Sequence, residues 1–200
     1  MISKINGNVI LGGRSLASIG DIIIEEVPGE TIPERKKNIY SIPGRNGNII
    51  DLQDAWEDKD KEYKIFAPGK KEEDYTNFVN SLAEWISASN GYERLEDTFS
   101  PDIYRMAYIS GEIDTSSFAN IHGEAKIKFR CNPEKWLKAG EKTISLKSNG
   151  SIRNPSFQKS KPLITVHGNG AGVLQIGSNE INITEIGNSV TVDSNTWRVS

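Results

Sequence analysis

One cysteine and two histidines among 200 residues leave little material for catalysis or metal binding. The lone thiol, Cys131, excludes an intramolecular disulfide and a thiolate cluster; it reads as a buried strand residue. His122 and His167 give a Ser-His-Asp triad or a multi-histidine metal site little to work with. No run approaches the roughly 18 apolar residues of a membrane helix. The segment MISKINGNVILGGRSLASIGD has neither a secretory h-region nor transit-peptide character, so the product is expected to act where it is made or to be carried out by something else. A dominant charge is missing too: 24 basic residues face 27 acidic ones, and a net charge of −3 does not imply a basic nucleic-acid footprint. The expectation is a protein that is no enzyme, holds no cofactor or metal, and does not enter a membrane.

The remaining polar motifs have bland readings. His167 lies in TVHGNGAG, but a strand pattern follows, so no helix N-terminus is available to bind a phosphate, and a hairpin turn is the reading. His122, in ANIHGEA, reads as a polar turn residue before a strand. Glu93, Glu96 and Asp97 cluster beside Tyr92 as a glycosidase acid pair would, but abundant acids on a solvated turn are the preferred reading, since sequence spacing does not bring any two to the separation that chemistry needs. A sugar-binding module needs exposed aromatic platforms, and beyond Trp136 only Phe157 and Trp197 remain, both expected in a core.

What the chain does have is β-pattern. IGDIIIEEV (19–27) and NIYSI (38–42) read as strands ended by Pro-Gly pairs, and Asn46-Gly47 predicts a hairpin. From 51 to 62, DLQDAWEDKDKE is dense in charge and is expected to form an exposed loop or arm leading into the strand EYKIFA (62–67). A single helix is predicted over 71–89. Tyr75, Phe78, Val79, Leu82, Trp85 and Ile86 gather on one apolar face, Glu72, Glu73 and Asp74 complement the dipole at its start, and Asn90-Gly91 is placed as its C-cap. One helix among about a dozen strands makes the fold mainly β, with an α+β first domain.

A boundary near residue 137 divides the chain into domains 1–137 and 138–200. LKSNGSIRNPSFQKSKP (146–162) reads as a connector. PLITVHG, GVLQIG, NEINIT, SVTVDS and TWRV then follow as an antiparallel meander. About 55 residues of meander would leave much apolar surface uncovered, so the second domain is expected to be incomplete or to lean on the first.

Lys126, Lys128 and Arg130 alternate with Ile127, Phe129 and Cys131, giving one strand a basic face and an apolar face. That stripe is either plain solvent-facing surface or an inter-subunit contact. Its candidate partners are Asp51, Asp54, Glu57, Asp58 and Asp60, which could alternatively line a lumen.

IPGRNGNIID (42–51), the helix with its AEW, NGYERLEDTFSPDIYRMAYI (90–109), KIKFRCNPEKW (126–136) and NPSFQKSKPLITVHGNGAG (154–172) occur in an order that resembles the distal tail proteins (Dit) of siphophages infecting Gram-positive bacteria. The resemblance covers most of the chain and rests on the order of the pieces. It implies an N-terminal β-sandwich with one α-helix and an extended β-arm, followed by a galectin-like β domain, partial because the chain stops at Ser200. It further implies a hexameric ring at the virion tail tip, made in the host cytoplasm. Such a ring joins the tail tube protein to the tip fibre or tail-associated lysin, anchors receptor-binding proteins, and lets DNA through its lumen without specific binding. The competing classes are a carbohydrate-binding tail module and a cell-wall hydrolase.

Overall fold

The computed structural model describes residues 7–119, 121–147, 149–156, 159–176, 178–196 and 198–199. Phe157 and Trp197, expected in a core, lie outside them. The chain divides into two compact units, Met1–Thr143 and Ile144–Ser200.

The first unit contains β1 (Val9–Leu11), β2 (Arg14–Ser15), a 3-10 turn (Leu16–Ile19), β3 (Ile23–Ile24), β4 (Arg35–Ser41), β5 (Asn48–Trp56), β6 (Lys59–Ala67), α1 (Glu72–Ser87), β7 (Glu93–Asp97), β8 (Ile103–Ile109), β9 (Thr115–Phe118), β10 (His122–Cys131) and β11 (Trp136–Leu137). The main sheet runs β2-β1-β7-β8-β10-β6-β3, with β9 joining β10 and β11 joining β8, all antiparallel. One edge of β10 is shared between β9 at residues 122–125 and β8 at 129–131, so the sheet forks there. Leu11 of β1 and Ile24 of β3, near opposite ends of the strand order, belong to the same buried cluster as Ile127 in mid-sheet. The sheet therefore curls around one core.

The longest pairing joins β6 and β10, from Gly123↔Ala67 to Cys131↔Lys59. Alternate residues of each point inward, as the period-2 pattern requires. Cys131 is buried, and burial pushes its thiol up to about 11, which leaves it unreactive at neutral pH.

Helix α1 buries the face its spacing predicts: Phe78, Leu82 and Trp85 are buried, with Tyr75, Val79 and Ile86 packed beside them. At its start the Asp74 carboxylate accepts the Lys70 and Lys71 backbone N–H groups at 2.7 and 3.1 Å, satisfying donors that the helix leaves orphaned. Its C-cap is Ala88; Gly91 does adopt φ +80°, but it lies beyond the helix, in the turn to β7. The helix crosses β10 at Gly123, where a Cβ would lie 2.3 Å from the Phe78 ring.

Several local expectations change. Of 19–27 only Ile23–Ile24 pairs, because Leu16–Ile19 forms the 3-10 turn and the chain leaves the sheet at Pro28. His122 is no turn residue: it opens β10, where its Nδ1 accepts the Gly69 N–H at 3.0 Å and its ring meets Phe66 and Phe118. The segment 51–62 is not a loop. Residues up to Trp56 complete β5, which is exposed along nearly all its length, and those from Lys59 begin β6, where Lys59 and Lys61 point inward and Asp60 and Glu62 outward.

The second unit holds β12 (Leu163–His167), β13 (Gly170–Ile176), β14 (Asn179–Ile186), β15 (Ser189–Asp193) and β16 (Arg198–Val199). It is not a meander. β12 pairs with β15, and β15 with β16, while β13 and β14 form a hairpin of their own between them in sequence. Its buried cluster is small: Ile183, Ile186 and Val190, flanked by Val166, Leu174 and Ile181. The chain as a whole is mainly β.

Candidate functional site

Between β3 and β6 the chain leaves the main sheet to form the two-stranded hairpin β4–β5, with Asn38↔Asp51, Ile39↔Ile50 and Tyr40↔Ile49 opposed. Its turn spans 42–47, where Gly44 and Gly47 both take φ +80°, a conformation open to glycine at no steric cost. Residues directly opposed share a face, so Ile39, Ile50 and Leu52 lie on one side and Tyr40 and Ile49 on the other. A surface hairpin with a solvated face would keep one side polar; this one exposes apolar side chains on both, the second face sharing Tyr40 and Ile49 with the polar group Asn38, Asp51 and Gln53. Ile39, Tyr40, Ile49, Ile50, Leu52 and Trp56 are each between 39% and 58% exposed. A lone hairpin is marginal in water, and a contiguous exposed apolar surface of this kind marks an interaction site.

Both roots of the hairpin are tied to the body. On one side only residues 57 and 58 separate β5 from β6, and the Asp58 carboxylate accepts the Tyr92 hydroxyl hydrogen bond, which pushes the Tyr92 phenol up to about 12. On the other side runs the strap 25–34. The Glu25 N–H donates to the Lys64 carbonyl at 3.0 Å, Pro28 is buried, and the Glu57 N–H closes the root by donating to the Glu34 carbonyl at 2.7 Å.

Beneath that strap the core is ionic. Lys59 and Lys61 of β6, Asp97 of β7 and Arg105 of β8 are all buried, Arg105 to 1% exposure. Asp97 accepts the Tyr63 hydroxyl at 2.7 Å and the Ser100 N–H at 2.8 Å, with Lys61 and Arg105 at 3.7 and 3.6 Å. Glu30 comes down from the strap to accept from Lys61 (2.9 Å), Lys135 (2.6 Å) and Arg105, with Lys59 at 3.6 Å. Burial works to raise the Glu30 carboxyl, but hydrogen bonds from Lys135 and Lys61 and the fields of Lys61 and Arg105 outweigh it and bring it down to about 2. Tyr63 is pushed far up, first by burial and then by the Asp97 charge. Arg105 still has Nε and Nη1 without a hydrogen-bond partner among the described residues.

The reading of Glu93, Glu96 and Asp97 as acids on a solvated turn is therefore corrected. They lie on β7, where alternation separates them: Glu93 accepts from Arg14, Glu96 pairs with Arg94 and Lys138 on the opposite face, and Asp97 is buried in the ionic cluster. Among the described residues, no three His, Cys, Asp or Glu side chains are grouped so that they could hold a metal ion.

The basic stripe Lys126, Lys128 and Arg130 lies on the outward face of β10. Asp60 sits opposite, on β6, 3.1 Å from Lys128 and 3.0 Å from Arg130, and Glu62 is 3.6 Å from Lys126. Burial works to raise the Asp60 carboxyl, but its bonds from Arg130 and Lys128 hold it low. The remaining candidates sit elsewhere: Asp51 and Asp54 on β5, the latter 3.7 Å from Arg35, and Glu57 and Asp58 at the β5–β6 root.

The family profile described as phage tail protein RIFT-related domain matches residues 15–131. The crystal structure of the Dit protein (gp 19.1) of SPP1, described as a paradigm of the hub adsorption apparatus in phages infecting Gram-positive hosts, superposes with a TM-score of 0.69. At 12% identity, the match covers 96% of this chain and 81% of that one. No curated protein sequence matches. With the profile spanning more than half of its length, and with the fold of a distal tail protein, this chain belongs to the family of phage tail proteins that carry a RIFT-related domain.

Proposed function

We propose that the protein is a structural hub of the tail tip: a homo-oligomeric, hexameric ring that joins the tail tube protein to the tip fibre or tail-associated lysin and lets DNA pass. The observation that carries this reading is the hairpin Arg35–Trp56, which exposes apolar side chains on both faces, in a chain with a tail-protein fold. Covering it on the neighbouring subunit supplies the affinity, since a fully buried aliphatic or aromatic side chain contributes about 1.5 to 3 kcal/mol. Charge sets register. Asp51, Asp54 and Glu57 of one subunit approach Lys126, Lys128 and Arg130 of the next. Asp54, Asp58 and Asp60 contribute less, because each already has a partner in its own chain. Exposed pairs are worth only about 0 to 1 kcal/mol each and are screened by salt.

The second unit is read as a partial galectin-like module on the periphery, a docking point for receptor-binding protein. The protein has no enzymatic role in this scheme. Sedimentation of the concentrated chain tests the ring, with Leu52→Asp as the disabling variant. Assembly lost in Leu52→Asp supports the arm as the contact; assembly that persists undiminished places the contact elsewhere.

A further inference from the structure

We propose that Glu30 is the positioning residue of the arm: a carboxylate peg that seats the strap 25–34 on the buried cation cluster and so fixes the direction in which the hairpin leaves the body. The proposal rests on the reading of the hairpin as the assembly arm.

The charge inventory carries the argument. Four cations, Lys59, Lys61, Arg105 and Lys135, meet at the end of the curled sheet, and three of them are buried. Asp97 is the carboxylate that the sheet itself provides, and it is already engaged by Tyr63 and Ser100. Glu30 supplies the second negative charge, and it belongs to the strap, not to the sheet. An apolar strap could settle on an apolar core in several registers. A single carboxylate that must satisfy Lys61, Arg105 and Lys135 at once has one seat. With the peg removed, three buried cations face one carboxylate, a state the chain relieves by lifting the strap to admit water.

The surrounding geometry makes this seat decide the arm's direction. From Glu30 only residues 31–34 lead to β4, and Pro33, with its fixed φ, shortens the slack. The opposite root has two residues between β5 and β6 and its own tie, Asp58 to Tyr92. Two short tethers on a two-stranded ribbon define an orientation; one defines a hinge. Val27 and Ile32 flank the peg at 60% and 87% exposure and contribute little packing, which leaves Pro28 as the strap's buried apolar residue.

Spin labels on Asn46→Cys at the hairpin turn and Asn80→Cys on the exposed side of α1 report the arm-to-body distance by dipolar spectroscopy, with buried Cys131 left unlabelled. In the dilute monomer the parent is expected to give one narrow distribution, and Glu30→Gln one about twice as wide with the helix intact by circular dichroism. Ile127→Val, which weakens the core without touching the strap, is expected to leave the width unchanged. If Glu30→Gln does not fold, Lys135→Gln removes one of the peg's partners and gives a smaller broadening in the same direction. An equally narrow distribution in the Glu30 and Lys135 variants, a parent distribution already broad, or equal broadening in Ile127→Val overturns the proposal. A parent that is narrow but never assembles retains the peg and removes the ring, so the two failures are distinguishable.

Discussion

The side chains that fix this molecule divide into those the sequence displays and those it disguises. Trp85 belongs to the first kind: its place on the i, i+3, i+4, i+7 face predicts burial, and it is buried beside Phe78 and Leu82. Trp85→Ala is expected to destabilise the first unit by about 3 to 5 kcal/mol, read as a lower denaturation midpoint; an unchanged midpoint would mean the ring is not part of the core. Gly123→Val is expected to be about as harmful, because the new side chain meets Phe78 where no space exists. Glu30 belongs to the second kind. Its folded pKa, about 2, lies below the ordinary carboxylate value of 4.5, so its contribution is fully present above pH 4.5 and is lost as the pH falls through 2. Discounted for its partial exposure, that contribution is about 1 to 2 kcal/mol. The acid limb of an unfolding-free-energy profile should therefore flatten in Glu30→Gln relative to the parent below pH 4.5; identical acid limbs would show that the carboxylate is not held low.

At the scale of elements, legibility followed periodicity. The helix, the hairpin at Asn46-Gly47 and most strands are visible because a 3.6 or a 2.0 period gathers their apolar residues or a turn dipeptide ends them. The ionic cluster was missed because Lys, Arg and Asp read as surface by type. Phase held the signal: in KDKEYKIFA, Lys59 and Lys61 stand in register with Tyr63, Ile65 and Ala67, all inward. The same holds for Asp97 with Leu95 and for Arg105 with Ala107. The pairing of β12 with β15 around the β13–β14 hairpin was invisible for another reason: each run has its own turn signals, and nothing local says which non-adjacent strand it joins. The hairpin arm gives the prediction at this scale. Replacing residues 36–55 by a short Gly-Ser turn removes exposed apolar surface and leaves the main sheet's pairing intact, so the body should keep its thermal midpoint while losing assembly. A collapse of the midpoint would mean the arm supports its own subunit.

For the whole molecule, stability and the proposed assembly surface sit in different places. The first unit has a continuous buried cluster from β1 to β10, whereas the second has a small one built on Ile183, Ile186 and Val190. Amides of β12–β15 should exchange with solvent well before those of β6 and β10; simultaneous exchange would show one cooperative body. In the proposed hub, assembly rests on the hairpin, which exposes apolar side chains on both faces in a chain of the phage tail protein family. The most direct test is a cryo-electron-microscopy reconstruction of the tail tip that contains this protein. The account predicts a closed six-fold ring in which Ile39, Ile50 and Leu52 of each arm are covered by the next subunit. A tail tip without cyclic contacts through residues 35–56, or with those side chains still facing solvent, would contradict it.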